Sequence, residues 1–346
     1  MKTQTNTLDN KIIDIDSSIL SPYFEECRSE TFNARLQAFI KQQLATWPEL
    51  KQAINKLDEQ LINNIFLTES EVILQHNPRR LKSSASKVDK KSIEKRPCFL
   101  CPENLYEKQL GLSWNENWLI LNNPYPIFKD HLVISHRKHL LQNVNDALPA
   151  MIKFVHDTDF SFSAFYNGPA CGASAPDHLH FQSCKKNDLP IITQTDNIIN
   201  SGDYSNILII NKEPSIRSFA ATFDNRGIFI CLSENREALI STVEQVISFL
   251  QSKTESPEEP LINIIISGSE STYTAILFPR KAHRPNCFYK DDNEKLLISP
   301  GAVDVGGVVI LPCEEDYCRI NKKHLLEIFS EVCLDHSVFQ NLILKK

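Results

Sequence analysis

Glycine is so scarce in this chain of 346 residues that it limits how the protein can hold a phosphate. The nine glycines stand at positions 111, 168, 172, 202, 227, 268, 301, 306 and 307. No three of them fit G-x-G-x-x-G, and none belongs to a Walker loop ending in lysine. Both glycine-rich backbone cradles for phosphate are therefore absent, and any phosphate chemistry must fall to side chains.

The remaining composition is that of an ordinary globular protein. Hydrophobic residues make up 42% and charged residues 23%, which excludes a mostly disordered chain or a collagen-like filament. The length makes two domains the leading expectation, with three possible. With 37 basic against 43 acidic side chains the net charge is −6, which gives no long-range attraction for nucleic acid or an anionic membrane. No apolar run approaches the roughly 20 residues of a bilayer span. The polar start Met1–Asn10 lacks the apolar stretch of a signal peptide. The ten scattered cysteines then read as reduced thiols, and cytoplasm is the expected location.

Periodicity predicts an α+β protein: two antiparallel sheet modules with packed helices, preceded by an N-terminal helical segment. The expected divisions are 1–70 for the helical segment, 71–195 for a first module and 196–346 for a second. Phe32, Leu36, Phe39, Ile40 and Leu44 share a helical face, and Pro48 opens a second helix. Strands are expected at Glu71–Gln75, Trp118–Leu121, His131–Ser135, Phe162–Asn167 and His178–Gln182, with a helix over 141–156. The second half echoes this order. Strands at Asn206–Asn211 and Gly227–Leu232 precede a helix with Ser233 as its candidate N-cap, and Leu261–Ser267 and Thr272–Phe278 follow. The Lys- and Ser-rich stretch from Lys82 to Arg96 reads as an exposed loop, either functional or mobile.

The densest chemistry lies in Asn167-Gly-Pro-Ala-Cys-Gly-Ala-Ser-Ala-Pro-Asp-His-Leu-His-Phe-Gln182. Strand alternation puts His178, His180 and Gln182 on one face and the apolar Leu179 and Phe181 on the other. Two incidental histidines on an exposed face are the competing reading. A neutral imidazole is a competent nucleophile near pH 7. Cys98-Phe-Leu-Cys101 is a thiolate pair at metal-ligand spacing, although a structural pair or redox motif shares that spacing. Nothing resembling a thioredoxin βαβ unit surrounds it.

The G-x-S-x-P…H-x-H-x-Q arrangement resembles the histidine-triad superfamily, in the branch of galactose-1-phosphate uridylyltransferase, GDP-L-galactose phosphorylase and diadenosine tetraphosphate phosphorylase. The wording His-Leu-His-Phe-Gln, with Gln75-x-Asn77-x-x-Arg80 and Arg96-Pro97 upstream, is most similar to the GDP-L-galactose phosphorylase type. The chain as a whole also resembles a set of bacterial proteins of this branch. It departs from the pattern at Asp177, which stands between Pro176 and the first histidine, and in its C-terminal half.

The resemblance implies a nucleotidyltransferase or phosphorylase acting on a nucleotide sugar through a covalent nucleotidyl-histidine. His180 is then the nucleophile and Gln182 a hydrogen-bond donor to a non-bridging phosphate oxygen, with phosphate or sugar phosphate as acceptor. A dinucleoside polyphosphate phosphorylase and a catalytically silent, zinc-stabilised nucleotide-binding protein are the alternatives. The resemblance also implies structural zinc on Cys98, Cys101, His139 and His178, with His131 and His136 as rivals for the third ligand. Substrate contacts are expected from Asn77, Arg80, Lys82, Ser83, Arg96, Asn122, Asn167, Ser174, Arg280, Lys281 and His283. The second module carries Tyr273-Thr-Ala at the motif position, so one active centre per chain is expected, in a monomer or homodimer.

Overall fold

The computed structural model describes residues 11–24, 31–81, 92–93, 95–201, 207–213, 216–254 and 259–339. Lys82 and Ser83 lie outside them. A short strand β1 (Ile12–Ile13) and helices α1 (Phe32–Thr46) and α2 (Pro48–Asn55) come first. Strands β2 (Ile62–Phe66) and β3 (Glu71–His76) form a hairpin. The first module holds β4 (Gly111–Trp114), β5 (Trp118–Asn122), β6 (Leu132–His136), α3 (Val144–Asp157), β7 (Phe162–Asn167) and β8 (His180–Lys185). After α4 (Pro190–Ser201) the second module holds β9 (Ile207–Glu213), β10 (Ile216–Phe223), β11 (Arg226–Ser233), α5 (Arg236–Thr254), β12 (Ile262–Ser269) and β13 (Thr272–Pro279). Helix α6 (Ala302–Val305), β14 (Val308–Leu311), α7 (Glu314–Arg319) and α8 (Lys322–Val332) complete the described chain.

The two modules fuse into one sheet of eleven strands, ordered β1-β4-β5-β6-β8-β7-β12-β13-β11-β10-β9. Read inward from each edge, β4-β5-β6-β8-β7 and β9-β10-β11-β13-β12 repeat one topology, with α3 and α5 in equivalent connections. The seam is the antiparallel pair β7–β12, from Asn167↔Asn263 to Ala164↔Ile266. A central strand covered on both faces must be apolar throughout, which explains the run Ile264-Ile265-Ile266. Ile264 and Ile266 join the core under α3 and α5, while Ile265 joins the opposite core. A second sheet, β14-β3-β2, covers that opposite face. In β14, Val308 and Ile310 face the large sheet, whereas Val309 and Leu311 face α8.

Several sequence expectations shift. The 70/71 division falls inside the β2–β3 hairpin, whose β3 pairs in parallel with β14 from the far end of the chain. Strand β10 was not expected, because Ser218, Ala220, Ala221 and Thr222 blur its alternation. Its clearest signal is Asp224-Asn225, both at positive φ (49° and 65°), a two-residue turn into β11. Ser233 ends β11 and does not cap α5. Asn235 does, accepting from the Ala238 N–H at 2.8 Å.

Arg280 is 3% exposed, and its guanidinium binds the Val332, Pro300, Ala282 and His283 carbonyls and the Asn263 side chain. It pins the C-terminal segment to the seam. Arg280→Ala leaves several buried acceptors without a donor and should cost about 3 kcal/mol or more in urea unfolding. A loss below about 1 kcal/mol would show the pinning to be dispensable.

Candidate active site

His180 opens β8, and its face of the sheet is the one turned away from α3 and α5. Leu179 and Phe181 sink into the helix-side core as the alternation requires. His178 lies just before the strand and is fully buried. The His180 backbone is clamped by Gln142, whose Oε1 accepts its N–H (2.9 Å) and whose Nε2 donates to its carbonyl (3.0 Å). The ring Nδ1 lies 2.7 Å from the His178 carbonyl, which can only accept, so Nδ1 carries the proton. Nε2 is left as a lone-pair nitrogen with no hydrogen-bond partner among the described residues. Burial pushes the ring down to about 4, so it is neutral at ordinary pH.

Gln182 follows on the same face, and its orientation is set by His131. The Ile127 N–H donates to His131 Nδ1 at 3.0 Å, so the proton of that ring sits on Nε2. His131 Nε2 in turn donates to Gln182 Oε1 at 3.0 Å. With its oxygen occupied, Gln182 offers its NH₂ group. The sequence points to His131 only as a rival zinc ligand. Its place just before β6, which pairs with β8, is what couples it to the site.

His180 and Gln182 stand in a cleft of about 570 Å³. Its lining combines the apolar Phe99, Leu100, Leu121 and Val133 with Arg79, Arg80, Arg96, Asn122 and Ser174. Arg96 is fixed by the Ser174 carbonyl (3.2 Å), by Asp177 (3.0 Å) and by the Phe99 ring, 4.9 Å from its guanidinium carbon. Arg79 Nη1, Arg96 Nη1 and Asn122 Nδ2 are buried without a hydrogen-bond partner among the described residues. All three residues line the cleft, which gives it a basic, donor-rich lining suited to a ligand with acceptor oxygens. Beyond the Tyr106–Tyr125 hydroxyl pair (3.1 Å), the cleft adjoins a chamber of about 370 Å³ lined by Trp47, Leu50 and Lys108.

Cys98, Cys101, His139 and His178 place four ligand atoms within 4.8 Å of one another. The His178 Nδ1 lies 3.2 Å from Cys98 Sγ and 3.5 Å from Cys101 Sγ, and the His139 Nδ1 lies 3.2 Å from Cys101 Sγ. Tetrahedral zinc spaces such ligands by roughly 3.3–3.8 Å, so the group fits. The His178 Nε2 donates to the His136 carbonyl at 2.7 Å, which turns the Nδ1 lone pair toward the thiols. The His139 Nε2 lies 3.6 Å from Asp177, the residue that departs from the family pattern. Asp177 thus orients a candidate ligand and Arg96 together. Without a cation, burial and Cys98 push the Cys101 thiol up to about 12; a bound metal reverses that. Neither His131 nor His136 belongs to the cluster.

Residues 39–185 match the family model of a domain of unknown function, DUF4922, and residues 206–345 match the GDPGP1-like C-terminal domain. Among solved structures, yeast Ap4A phosphorylase Apa2 in complex with Ap4A aligns with a TM-score of 0.55. Identity there is 12%, covering 84% of this chain and 94% of that one. A second structure of Apa2 gives 0.51 at 15% identity, covering 81% and 96%. The C-terminal half therefore matches a GDPGP1-like domain, and the chain shares its fold with Ap4A phosphorylase Apa2. No curated protein matches it by sequence.

Not every residue expected from this branch reaches the cleft. Arg80, Arg96, Asn122, Ser174, His180 and Gln182 line it. Asn167 and His283 line a smaller cavity beyond Gln182. Asn77 is fully buried behind Arg80, donating to the Pro126 carbonyl, and lines neither space. Arg280 is committed to the seam, and Lys281 is exposed and lines neither space. Among the described residues, no helix is long and apolar enough to cross a membrane.

Burial pushes the His131 ring down to about 3 and the His283 ring down to about 4. Both are depressed in the folded state, so their contribution is intact above the unfolded value of about 6.5 and is lost as pH falls from there toward about 4 for His283 and about 3 for His131. His131→Phe keeps a ring between Phe128 and Phe165 and should flatten this acid limb in urea melts; an unaltered limb would exclude His131 as a source.

Proposed function

We propose that this chain is a nucleotidyltransferase of the phosphorylase type, acting on a GDP- or UDP-hexose through a nucleotidyl-histidine at His180. The observation that carries the reading is the fixed tautomer of His180, with Nδ1–H tied to the His178 carbonyl and an unpaired Nε2 in the cleft. A bond forms from Nε2 to the α-phosphorus as the α–β bridging P–O bond breaks. The sugar phosphate leaves as an anion that needs no protonation near neutrality, which suits a glutamine in place of an acid. An oxygen of phosphate then attacks the same phosphorus, the P–N bond breaks, and a nucleoside diphosphate is released. The Gln182 NH₂ group serves a non-bridging oxygen in both steps, with Arg79, Arg96 and Asn122 supporting the remaining charge. The apolar wall at Phe99 and Leu100 suits a base.

Zinc on Cys98, Cys101, His139 and His178 would be four-coordinate and structural, holding the loop before β8 without activating water. A dinucleoside polyphosphate is the second reading. The Trp47 chamber favours it, because its roughly 370 Å³ prolongs the cleft beside the packed Trp47 and Tyr106 rings.

Incubation with α-labelled GDP-hexose, UDP-hexose and Ap4A, each with phosphate, separates the readings. Label should be trapped on the wild type and absent from His180→Ala, with turnover down about 10³-fold or more. Binding without turnover across the panel would mean a silent nucleotide-binding protein. Protein prepared without chelators should carry close to one zinc per chain, and Cys98→Ser should lose it; substoichiometric zinc in the wild type counts against the site.

A further inference from the structure

We infer that the small cavity beyond Gln182 is a subsite for one phosphoryl group, built across the seam by side chains of the C-terminal half. Its role in turnover rests on the function proposed above: it would hold the phosphate that departs with the first product and the inorganic phosphate that replaces it. The anion site itself stands on separate observations.

The cavity measures about 60 Å³. A water requires about 10–15 Å³ by this measure, so there is room for roughly four or five atoms, the size of one phosphate. Its lining is predominantly polar and comes from both halves: Asn167, Ser174 and Gln182 from the first, His283, Arg284 and Ser299 from the second. Arg80 closes it, and Arg80, Ser174 and Gln182 also line the cleft that holds His180. A phosphate here therefore neighbours one held opposite Nε2, as the β-phosphate neighbours the α.

The cationic wall is preorganised. The Arg284 Nε donates to Ser299 Oγ at 3.0 Å, and its guanidinium lies 4.1 Å over the Phe288 ring. Ser299 Oγ also lies 3.3 Å from the His283 Nε2. The acid in the lining, Asp304, has both oxygens engaged by backbone, Oδ2 accepting from Gly301 and Oδ1 from Ile310. Two glycines set the floor. A Cβ on Gly301 would stand 3.0 Å from Asn167 Oδ1, and one on Gly172, at φ 97°, would stand 3.1 Å from Gly301 Cα. A side chain at either position would press on Asn167, which lines the cavity.

Equilibrium dialysis of the full chain against labelled inorganic phosphate tests the assignment. Wild type and His180→Ala should bind one phosphate per chain saturably. Arg284→Ala should bind at least tenfold more weakly, Arg284→Lys should recover part of the loss, and Ser299→Ala should lose about threefold. Hexose 1-phosphate should displace the label competitively, since the leaving and entering groups share the subsite. In single turnover, Arg284→Ala should slow both formation of the nucleotidyl-enzyme and its phosphate-dependent discharge, each at least tenfold. The inference is overturned if wild type shows no saturable binding, if Arg284→Ala binds like wild type, or if hexose 1-phosphate fails to compete. Absence of nucleotidyl-enzyme in the wild type would instead sink the proposed chemistry and leave the phosphate-binding result standing.

Discussion

Everything else in this molecule is arranged around the pairing of β7 with β12. A sheet of six strands and one of five, each with an exposed edge, become one continuous sheet by satisfying each other's edge hydrogen bonds. Most of that seam is apolar, but it ends in a polar pair, Asn167 opposite Asn263. Asn263 donates to Asn167 Oδ1 (2.9 Å) and to the Cys171 carbonyl (2.8 Å), while its own oxygen takes the Arg280 guanidinium. Asn167 Oδ1 also accepts from Ala302 (2.8 Å). A buried network of this kind is costly unless complete, and here it ties the loop before the His180 strand to the C-terminal segment. The strand that joins the modules, β7, is also the hydrogen-bonded neighbour of β8, which carries His180.

The catalytic face follows the same logic of backbone and side chain exchanging hydrogen bonds at fixed positions. Gln142 clamps the backbone of His180, the His178 carbonyl sets its tautomer, and His131 sets the rotation of Gln182. Each choice removes a freedom that a nucleophile in water would have to give up on reaching the transition state. The cost is electrostatic. Burial drives these imidazoles toward neutrality, which is what a nucleophile requires, and leaves the positive charge to arginines at the rim of the cleft.

The α+β class and the local pattern of the candidate site were both legible in the sequence. Strand alternation correctly separated His180 and Gln182 from Leu179 and Phe181, and metal-ligand spacing picked out Cys98 and Cys101. The four proposed zinc ligands do converge. What stayed hidden was long-range. Nothing local distinguishes Arg284, which lines the inner cavity, from Arg280, which is buried in the seam, or Lys281, which is exposed, since all three sit in one basic run. Their fates depend on which carbonyls the C-terminal segment brings near. His131 was legible as a histidine at a strand start, but its partner, Gln182, lies 51 residues away. The hairpin β2–β3 could not be joined to β14 from sequence, because parallel pairing across the whole chain leaves no turn signal.

The scarcity of glycine takes on a positive sense in this light. A chain that cradled phosphate with backbone N–H groups would need several glycines in one loop. Here Gly172 lies before β8 and Gly301 follows β13, and they meet only because the seam brings the halves together, where both pack against the Asn167 side chain. Glycine therefore serves close approach between modules, and charge is supplied by arginines on either side of it. A duplicated fold can divide labour in this way: one copy carries the proposed nucleophile, His180, on its motif strand, and the other, whose equivalent strand β13 carries no histidine, lends loop residues to the adjoining cavity.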